Sequence, residues 1–472
     1  MNTTADLIEA LRGVLGDPGL ITDPGAMAGY VEEQRGLYRG NAPAVARPAS
    51  TDEVARVVKL CADAGVGIVP LGGNTGLVGG GIADGQVVLS LERMNKILDV
   101  DPVNATMTVE AGAILADIQA AADAADAYFP LSLGAEGSCR IGGNLSTNAG
   151  GVHVVRYGAA RDLVLGLEVV LADGRVWDGL TALRKNNTGY NLKALFLGAE
   201  GTLGVITRAV LRLFPKPRAK AVALAGCGSF DDALQLLHAA QRLAGDALMA
   251  CEAMNGFSVE LAEKHVAGAA SPLEGRHECY VLLELGAADA KADLGALMEE
   301  VLTEAFEATA VEDAVIAQSG PQADGLWRLR EAVPEAQKLE GGSIKHDVSV
   351  PVSKTPEFIR RASEAVQAMI PGVRVVAFGH LGDGNTHFNL TQPVDMDKQA
   401  FLERWHEVNA RVHDVAAELG GSFSAEHGIG RLKTGEMARL KSAVELDLMR
   451  AVKNALDPLG IFNPGKVLPP RK

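Results

Sequence analysis

Pro70-Leu71-Gly72-Gly73-Asn74-Thr75-Gly76-Leu77-Val78-Gly79-Gly80-Gly81 places six glycines among twelve residues, which frees the backbone to turn its amides toward an anion. The elements around it decide how it is read. A helix precedes it, and Gln86–Leu91 after it reads as a strand. A dinucleotide fingerprint or a P-loop would instead open a helix at this point, and a P-loop would carry Lys-Ser/Thr after its last glycine. The stretch therefore reads as a pyrophosphate cradle of another kind, the alternative being a run of ordinary turn residues.

Working outward, Ser50 and Glu53 form a capping-box pair ahead of Val54, Val57, Val58 and Cys61, and Gly65 ends that helix. Val66–Val69 is a short strand leading into the glycines. Downstream, Ala105–Glu110 reads as a strand and Ala113–Ala125 as a helix. The segment Pro130–Gly151 (PLSLGAEGSCRIGGNLSTNAGG) then mixes glycine with Ser138, Asn144, Ser146, Thr147 and Asn148. It reads as a second ligand-facing loop, because a long loop without regular structure is uncommon unless it is functional. Val164–Leu171 and Arg175–Trp177 form a hairpin, and Leu195–Phe214 holds a glycine turn and an apolar strand. Pro215-Lys216-Pro217 marks the end of this domain. A leading helix, Thr4–Leu15, is expected to pack against a later domain.

A chain of 472 residues exceeds one ordinary core, so two or three domains are expected. A net charge of -15 argues against a nucleic-acid surface or an anionic membrane as partner. The five cysteines are scattered and lack a CxxC pair, which suits small core residues in a reducing compartment. Met1–Asp6 carries no basic lead into an apolar core, and no later run has the length of a membrane span. The expectation is a cytoplasmic protein.

PLGGNTGLVGG, IGGNLSTNAGG and GAEGTLGVIT together resemble the flavin-binding domain of the vanillyl-alcohol oxidase and p-cresol methylhydroxylase superfamily. The resemblance implies FAD, with the first loop on its pyrophosphate, the second along the ribityl chain and ring, and the third near the pyrimidine edge. The residues it implicates are Pro70, Gly72, Gly73, Asn74, Thr75, Gly76 and Leu77, then Ser138, Gly142, Gly143, Asn144, Thr147 and Gly151, then Gly201, Gly204 and Ile206, with Asn463 near the end. Asn74 stands near where some relatives attach FAD through a histidine, so the flavin is expected to be held non-covalently.

Beyond Arg218, helical stretches such as Phe230–Leu243 and Lys291–Ala305 alternate with strands such as Tyr280–Leu285 and Ser343–Val350, which reads as an α+β substrate domain. In Val375–Leu390 the turn Gly382–Asn385 joins two apolar runs. A four-residue loop there sets Leu381 against Thr386 and His380 directly opposite His387, close enough to share a metal ion. Asn389 falls on the same face. Glu426 and His427 follow in Ser424-Ala425-Glu426-His427-Gly428. Two histidines and a glutamate complete a three-ligand site with a position open for substrate, although each histidine alone also suits a structural hydrogen bond.

GHLGDGNTHFN, SAEHGIGRLK and Asn463-Pro464-Gly465-Lys466 resemble the D-2-hydroxyglutarate and D-lactate dehydrogenase branch of that superfamily, over nearly the whole chain from Arg47. The resemblance implies that His380, His387 and Glu426 hold a divalent metal, zinc foremost. It also implies that His427 is the base, and that Arg330, Lys345 and Asn389 contact substrate carboxylates. Pro334 is a departure, standing where some hydroxyglutarate enzymes carry a hydroxyl residue.

The expected architecture is α+β, with a two-part FAD-binding domain (1–215), an α+β substrate or cap domain with the metal hairpin (216–422), and a C-terminal helical segment (423–472) that contributes Glu426 and His427. The expected activity is oxidation of a D-2-hydroxy acid, D-2-hydroxyglutarate ahead of D-lactate because two cations suit a dicarboxylate. Hydride would pass to flavin N5, and an electron-transfer flavoprotein or quinone would accept the electrons. A homodimer is expected by analogy. The alternatives are a D-lactate or glycolate enzyme of the same family, a non-redox transferase like alkyl-dihydroxyacetone-phosphate synthase, and a metallohydrolase whose glycine loops are merely structural.

Overall fold

Helix Thr51–Ala64 begins where the sequence starts it. Ser50 Oγ accepts the Glu53 amide at 3.2 Å, and Gly65 closes the helix in the left-handed region. The reciprocal half of the capping box is displaced by one residue, since the Glu53 carboxylate takes the Ala49 amide at 2.8 Å. Val54, Val57, Val58 and Cys61 are fully buried along one stripe, as the 3.6-residue period requires. These features belong to a computed structural model that describes residues 3–470. Met1 and Asn2, part of the stretch expected to lack a leader, lie outside the described residues.

The chain divides into two units. The first comprises Met1–Gly151, Gly158–Pro215 and Glu426–Lys472. Its four-stranded sheet runs Leu20–Ile21, Val45–Ala46, Val87–Ser90, Ile68–Leu71, and the last two strands pair in parallel. Parallel neighbours need a long crossover, usually a helix; here the glycine loop between Leu71 and Val87 supplies it. The C-terminal segment extends this sheet, because the Ile68 amide donates to Ile461 O at 2.7 Å and the Asn463 amide to Ile68 O at 2.8 Å. A second sheet of five antiparallel strands runs Ile97–Asp101, Thr106–Glu110, Val205–Arg212, Val164–Val170, Val176–Gly179. Helix Thr4–Leu15 packs on Thr51–Ala64 within this unit rather than on a later domain.

Part of the second glycine-rich segment is helical, not loop: Ile141–Thr147 forms a short helix. Two glycines in its first turn disfavour a helix, so burial of Ile141 and Leu145 holds it instead.

The second unit, Val152–Tyr157 and Lys216–Ala425, is built on an eight-stranded sheet. Its order is Asp313–Ile316, Ala219–Cys227, Cys279–Ala287, Leu248–Asn255, Arg374–His380, Asn385–Thr391, Ser343–Ile344, and Asp347–Ser349 also pairs with Asn385–Thr391. Every pairing is antiparallel. Alternation along the strands divides the side chains between two cores. Ala223, Val281, Cys251 and Leu283 pack with helices Phe230–Ala244 and Leu294–Glu307. Val222, Leu282, Met254 and Phe378 pack with Gly256–His265 and Gly320–Leu339. All five cysteines are buried and unpaired. Among the described residues no helix is long and apolar enough to cross a membrane.

The face covered by Gly320–Leu339 also carries two buried carboxylates, Glu252 and Glu284. Glu284 accepts Trp327 Nε1 at 2.8 Å and Lys220 Nζ at 3.1 Å, with His153 Nε2 at 3.6 Å. Burial alone would raise its pKa, but His153, Lys220 and Trp327 together hold it at about 2 against an ordinary 4.5. Its folded-state pKa is depressed, so its stabilisation is complete above the unfolded value and is lost as pH falls toward about 2. That difference corresponds to about 3 kcal/mol. Thermal melts from pH 5 to pH 2 should therefore show a steeper loss of stability in wild type than in Glu284→Gln. Parallel curves would contradict the assignment.

Candidate active site

An open cleft lies within the first unit. Of the residues implicated by the sequence, Pro70, Gly72, Gly73, Asn74, Thr75 and Gly76 line it, as do Gly142, Gly143, Asn144 and Thr147, and Gly201, Gly204 and Ile206. Segments 130 residues apart in sequence thus converge on one wall. His427 lines the same cleft, brought there by the return of the chain at Glu426.

Close approach explains the composition. A Cβ at position 73 would lie 2.2 Å from the Ser138 carbonyl oxygen, so only glycine lets the first and second loops touch. At Gly151, with φ of +145°, a Cβ would lie 2.0 Å from Ser132 O. The wall also offers an unmet acceptor, since Asn144 Oδ1 is buried without a hydrogen-bond partner. A glycine-lined cleft with exposed backbone and an orphaned acceptor fits a phosphate-bearing, amide-rich cofactor such as FAD.

Four implicated residues do not line the cleft. Leu77 gives its carbonyl to Arg35. Ser138 is exposed, with Oγ 3.4 Å from Ala135 O. Gly151 serves the close approach to Ser132 just described. Asn463 donates through Nδ2 to Gly80 O at 3.0 Å and to Glu200 O at 2.8 Å, tying the first loop to the third. Asn74 donates to Gly29 O and Glu32 O at 3.1 and 2.8 Å, and an amide engaged in this way offers no nucleophile to a flavin.

Glu200 and Arg140 line the cleft and were not singled out from the sequence. Glu200 has φ of 51° and accepts the Ile429 and Gly430 amides at 2.7 Å each. Burial pushes its carboxyl above the ordinary range, although these two amides favour the charged form. A lone acid in GAEGTLG was the available signal. Arg140 donates to Gly112 O at 2.7 Å.

In the second unit, the hairpin register departs from expectation. Phe378, not His380, pairs with His387. Asn385 joins the strand because it pairs with Ser349 and donates to Asp347 Oδ1 and Val348 O. The loop is therefore Leu381–Gly384, and Gly384 closes it with φ of +80°. A shift of two preserves the side-chain face. The two imidazoles remain neighbours as a diagonal pair, with ring centroids 5.6 Å apart and planes at 75°.

A residue absent from the sequence reading organises this face. Glu252 is fully buried directly across the ladder from His380. Its Oε1 lies 2.6 Å from His380 Nδ1, and its Oε2 accepts Arg330 Nε and Nη2 at 2.8 and 2.7 Å. Burial opposes its charge, but His380 and Arg330 outweigh burial and hold its pKa at about 2. Arg330 stacks over Phe378, 4.8 Å from the ring centroid. Asp347, also missed, is buried with Oδ1 3.9 Å from His387 Nδ1.

Asn389 is buried, donating to Gln337 Oε1 at 3.0 Å and accepting the His346 amide at 3.2 Å. Lys345 is half-buried between strands Ser343–Ile344 and Asp347–Ser349. His387 beside Asp347 offers an imidazole and a carboxylate of the kind that suits a divalent cation of the zinc type, and the hydrogen bond at His380 Nδ1 is of the kind that orients a ligating histidine. Glu426 and His427 are half-buried where the chain leaves the second unit.

Residues 42–179 match the family description "FAD binding domain", and residues 216–467 match "FAD linked oxidases, C-terminal domain". The chain belongs to the FAD-linked oxidases. Within them it groups with the D-2-hydroxyglutarate dehydrogenases. It is 39% identical over 467 residues to the probable mitochondrial D-2-hydroxyglutarate dehydrogenase of Oryza sativa subsp. indica, covering 98% of this chain and 82% of that protein. A D-2-hydroxyglutarate dehydrogenase of Xanthomonas citri pv. viticola is 39% identical over 450 residues, covering 95% and 94%. The fold is shared with p-cresol methylhydroxylase solved with substrate bound, at a TM-score of 0.77 and 18% identity, covering 98% of this chain and 96% of that one. The FAD-linked oxidase is thus an FAD-dependent oxidoreductase with an α+β architecture.

Gly73→Ala drives a methyl group into the Ser138 carbonyl and should separate the two loops. FAD affinity is expected to fall about 10–100-fold, equivalent to about 1–3 kcal/mol, in a fluorescence titration of apoprotein. Unchanged affinity would show that the contact does not shape the cofactor site.

Proposed function

We propose that the enzyme oxidises a D-2-hydroxy acid, D-2-hydroxyglutarate foremost, to the 2-oxo acid, using non-covalent FAD and a divalent metal, zinc foremost. When bound, the flavin supplies at N5 an acceptor for the Cα hydride, and the cation supplies positive charge that lowers the pKa of the 2-hydroxyl. His380, His387 and Glu426 are the residues proposed to hold the metal. The 423–472 segment contributes Glu426 and His427.

His427 takes the hydroxyl proton at an imidazole nitrogen, acting as the base. The observation that supports this reading is the position of His427 on the wall of the glycine-lined cleft, where a proton acceptor would stand beside the flavin once it is bound. Arg330 and Lys345 hold the acid through charge-assisted hydrogen bonds. Since Glu252 takes the Nε hydrogen and one Nη2 hydrogen of Arg330, the donors offered to substrate are the second on Nη2 and the two on Nη1. Asn389, tied to Gln337 and to the His346 amide, contributes chiefly by steadying the segment that carries Lys345.

The names of relatives at 39% identity support the five-carbon dicarboxylate. One observation favours a shorter acid such as D-lactate as the second reading. Pro334 lies within helix Gly320–Leu339, where it offers no hydroxyl and no amide to the Arg330 carbonyl one turn earlier.

Dye-coupled turnover should give the highest kcat/KM with D-2-hydroxyglutarate, a lower value with D-lactate and none with the L-enantiomers. Oxidation of an L-acid, or of no acid, would contradict the proposal. His427→Ala should lower kcat by about 10²–10⁴-fold while the bound-flavin spectrum is unchanged. Normal turnover by this variant would remove His427 as the base.

A further inference from the structure

Glu252 takes no part in the chemistry above, yet it is the most enclosed charged group on that face of the sheet. Strand Leu248–Asn255 is buried along every residue but its last, and Glu252 has no exposed surface. Its oxygens are divided between two groups from distant segments, Oε1 with His380 Nδ1 and Oε2 with Arg330 Nε and Nη2. A carboxylate in this setting requires both partners, because losing either leaves an incompletely compensated buried charge.

The geometry has a separate consequence at each oxygen. Donation of Nδ1–H to Oε1 fixes the His380 tautomer and leaves Nε2 as the ligating nitrogen. Two bonds converging on Oε2, from Nε and Nη2, restrain the plane of the Arg330 guanidinium, and Phe378 beneath it holds the same plane. A rotation of the Glu252 carboxylate that improved one contact would spoil the other.

We propose that Glu252 is a positioning residue that couples the metal site to the substrate-carboxylate site, by setting the ligating nitrogen of His380 and the aim of Arg330 through a single carboxylate. The inference rests on the reading of His380 as a metal ligand and of Arg330 as a substrate contact. Metal affinity then depends on Arg330, which is not among the ligands, and substrate affinity depends on the residue that orients the metal ligand.

The test uses full-length, FAD-loaded enzyme and measures Zn²⁺ affinity by competition with a chromogenic chelator, without substrate. Glu252→Gln keeps the shape but sets an NH₂ group against one of two donors. It should weaken Zn²⁺ binding about 10–100-fold and raise KM more than it lowers kcat at saturating Zn²⁺. Zn²⁺ affinity within about twofold of wild type, with an intact flavin spectrum, would overturn the proposal. Should Glu252→Gln fail to fold, Arg330→Gln carries the test alone. Coupling requires this variant to bind Zn²⁺ several-fold more weakly, and wild-type affinity overturns it. Where both fold, the double variant should be non-additive, and strict additivity would overturn the coupling. His380→Ala separates the two layers of the argument. If it retains wild-type Zn²⁺ affinity, the metal reading itself fails and the proposal falls with it, whereas loss of Zn²⁺ there leaves the Glu252 result to decide.

Discussion

An ionised carboxylate cannot be enclosed in a protein interior unless its charge and lone pairs are met there, and Glu252 imposes that condition on the second unit. Meeting it brings His380 from the facing strand and Arg330 from the covering helix to one point. Glu284 repeats the device on the next strand, drawing in Trp327 from the same helix. Gln337, further along, bonds both Asn389 and Thr391. Helix Gly320–Leu339 is therefore fixed on the sheet by three polar anchors as well as by its apolar face. Such anchors specify angle and register, which dispersion contacts alone leave loose.

The first unit solves a different problem, that of holding flexible glycine loops still. Its ties run through backbone atoms. Asn463 joins Gly80 to Glu200, and Glu200 in turn receives the amides of Ile429 and Gly430. Residues more than 380 positions apart thereby fix one another. The return of the chain through Glu426 sets a histidine on the cleft wall and also completes the sheet edge at Ile68.

What could be read from the sequence follows how local each constraint is. The glycine loop and helix Thr51–Ala64 depend on near neighbours and fall where the sequence puts them, whereas the strand before the loop is Ile68–Leu71 rather than Val66–Val69. Helix Ile141–Thr147 is not legible in the sequence, because Gly142 and Gly143 oppose it locally and only burial makes it. The hairpin face was legible from alternation, but its register was not, since Asn385 is recruited by Asp347 and Val348 from another strand. Glu252 had only the faint signal of one acid within MACEAMN, and its partners lie 78 and 128 residues away. The roles implied by resemblance for His380, His387 and Arg330 fall on side chains that share this face. The carboxylate that gathers two of them was the part no local pattern announced.

The central claim is that a D-2-hydroxy acid reduces the flavin with help from a bound metal. Its most direct test is the flavin absorbance of the anaerobic enzyme on addition of D-2-hydroxyglutarate, with and without prior removal of metal by a chelator. Bleaching that is lost after chelation and restored by Zn²⁺ is the predicted result. Equal bleaching after complete metal removal would contradict the metal's part in the account, and an unbleached, fully loaded flavin would contradict the oxidation itself.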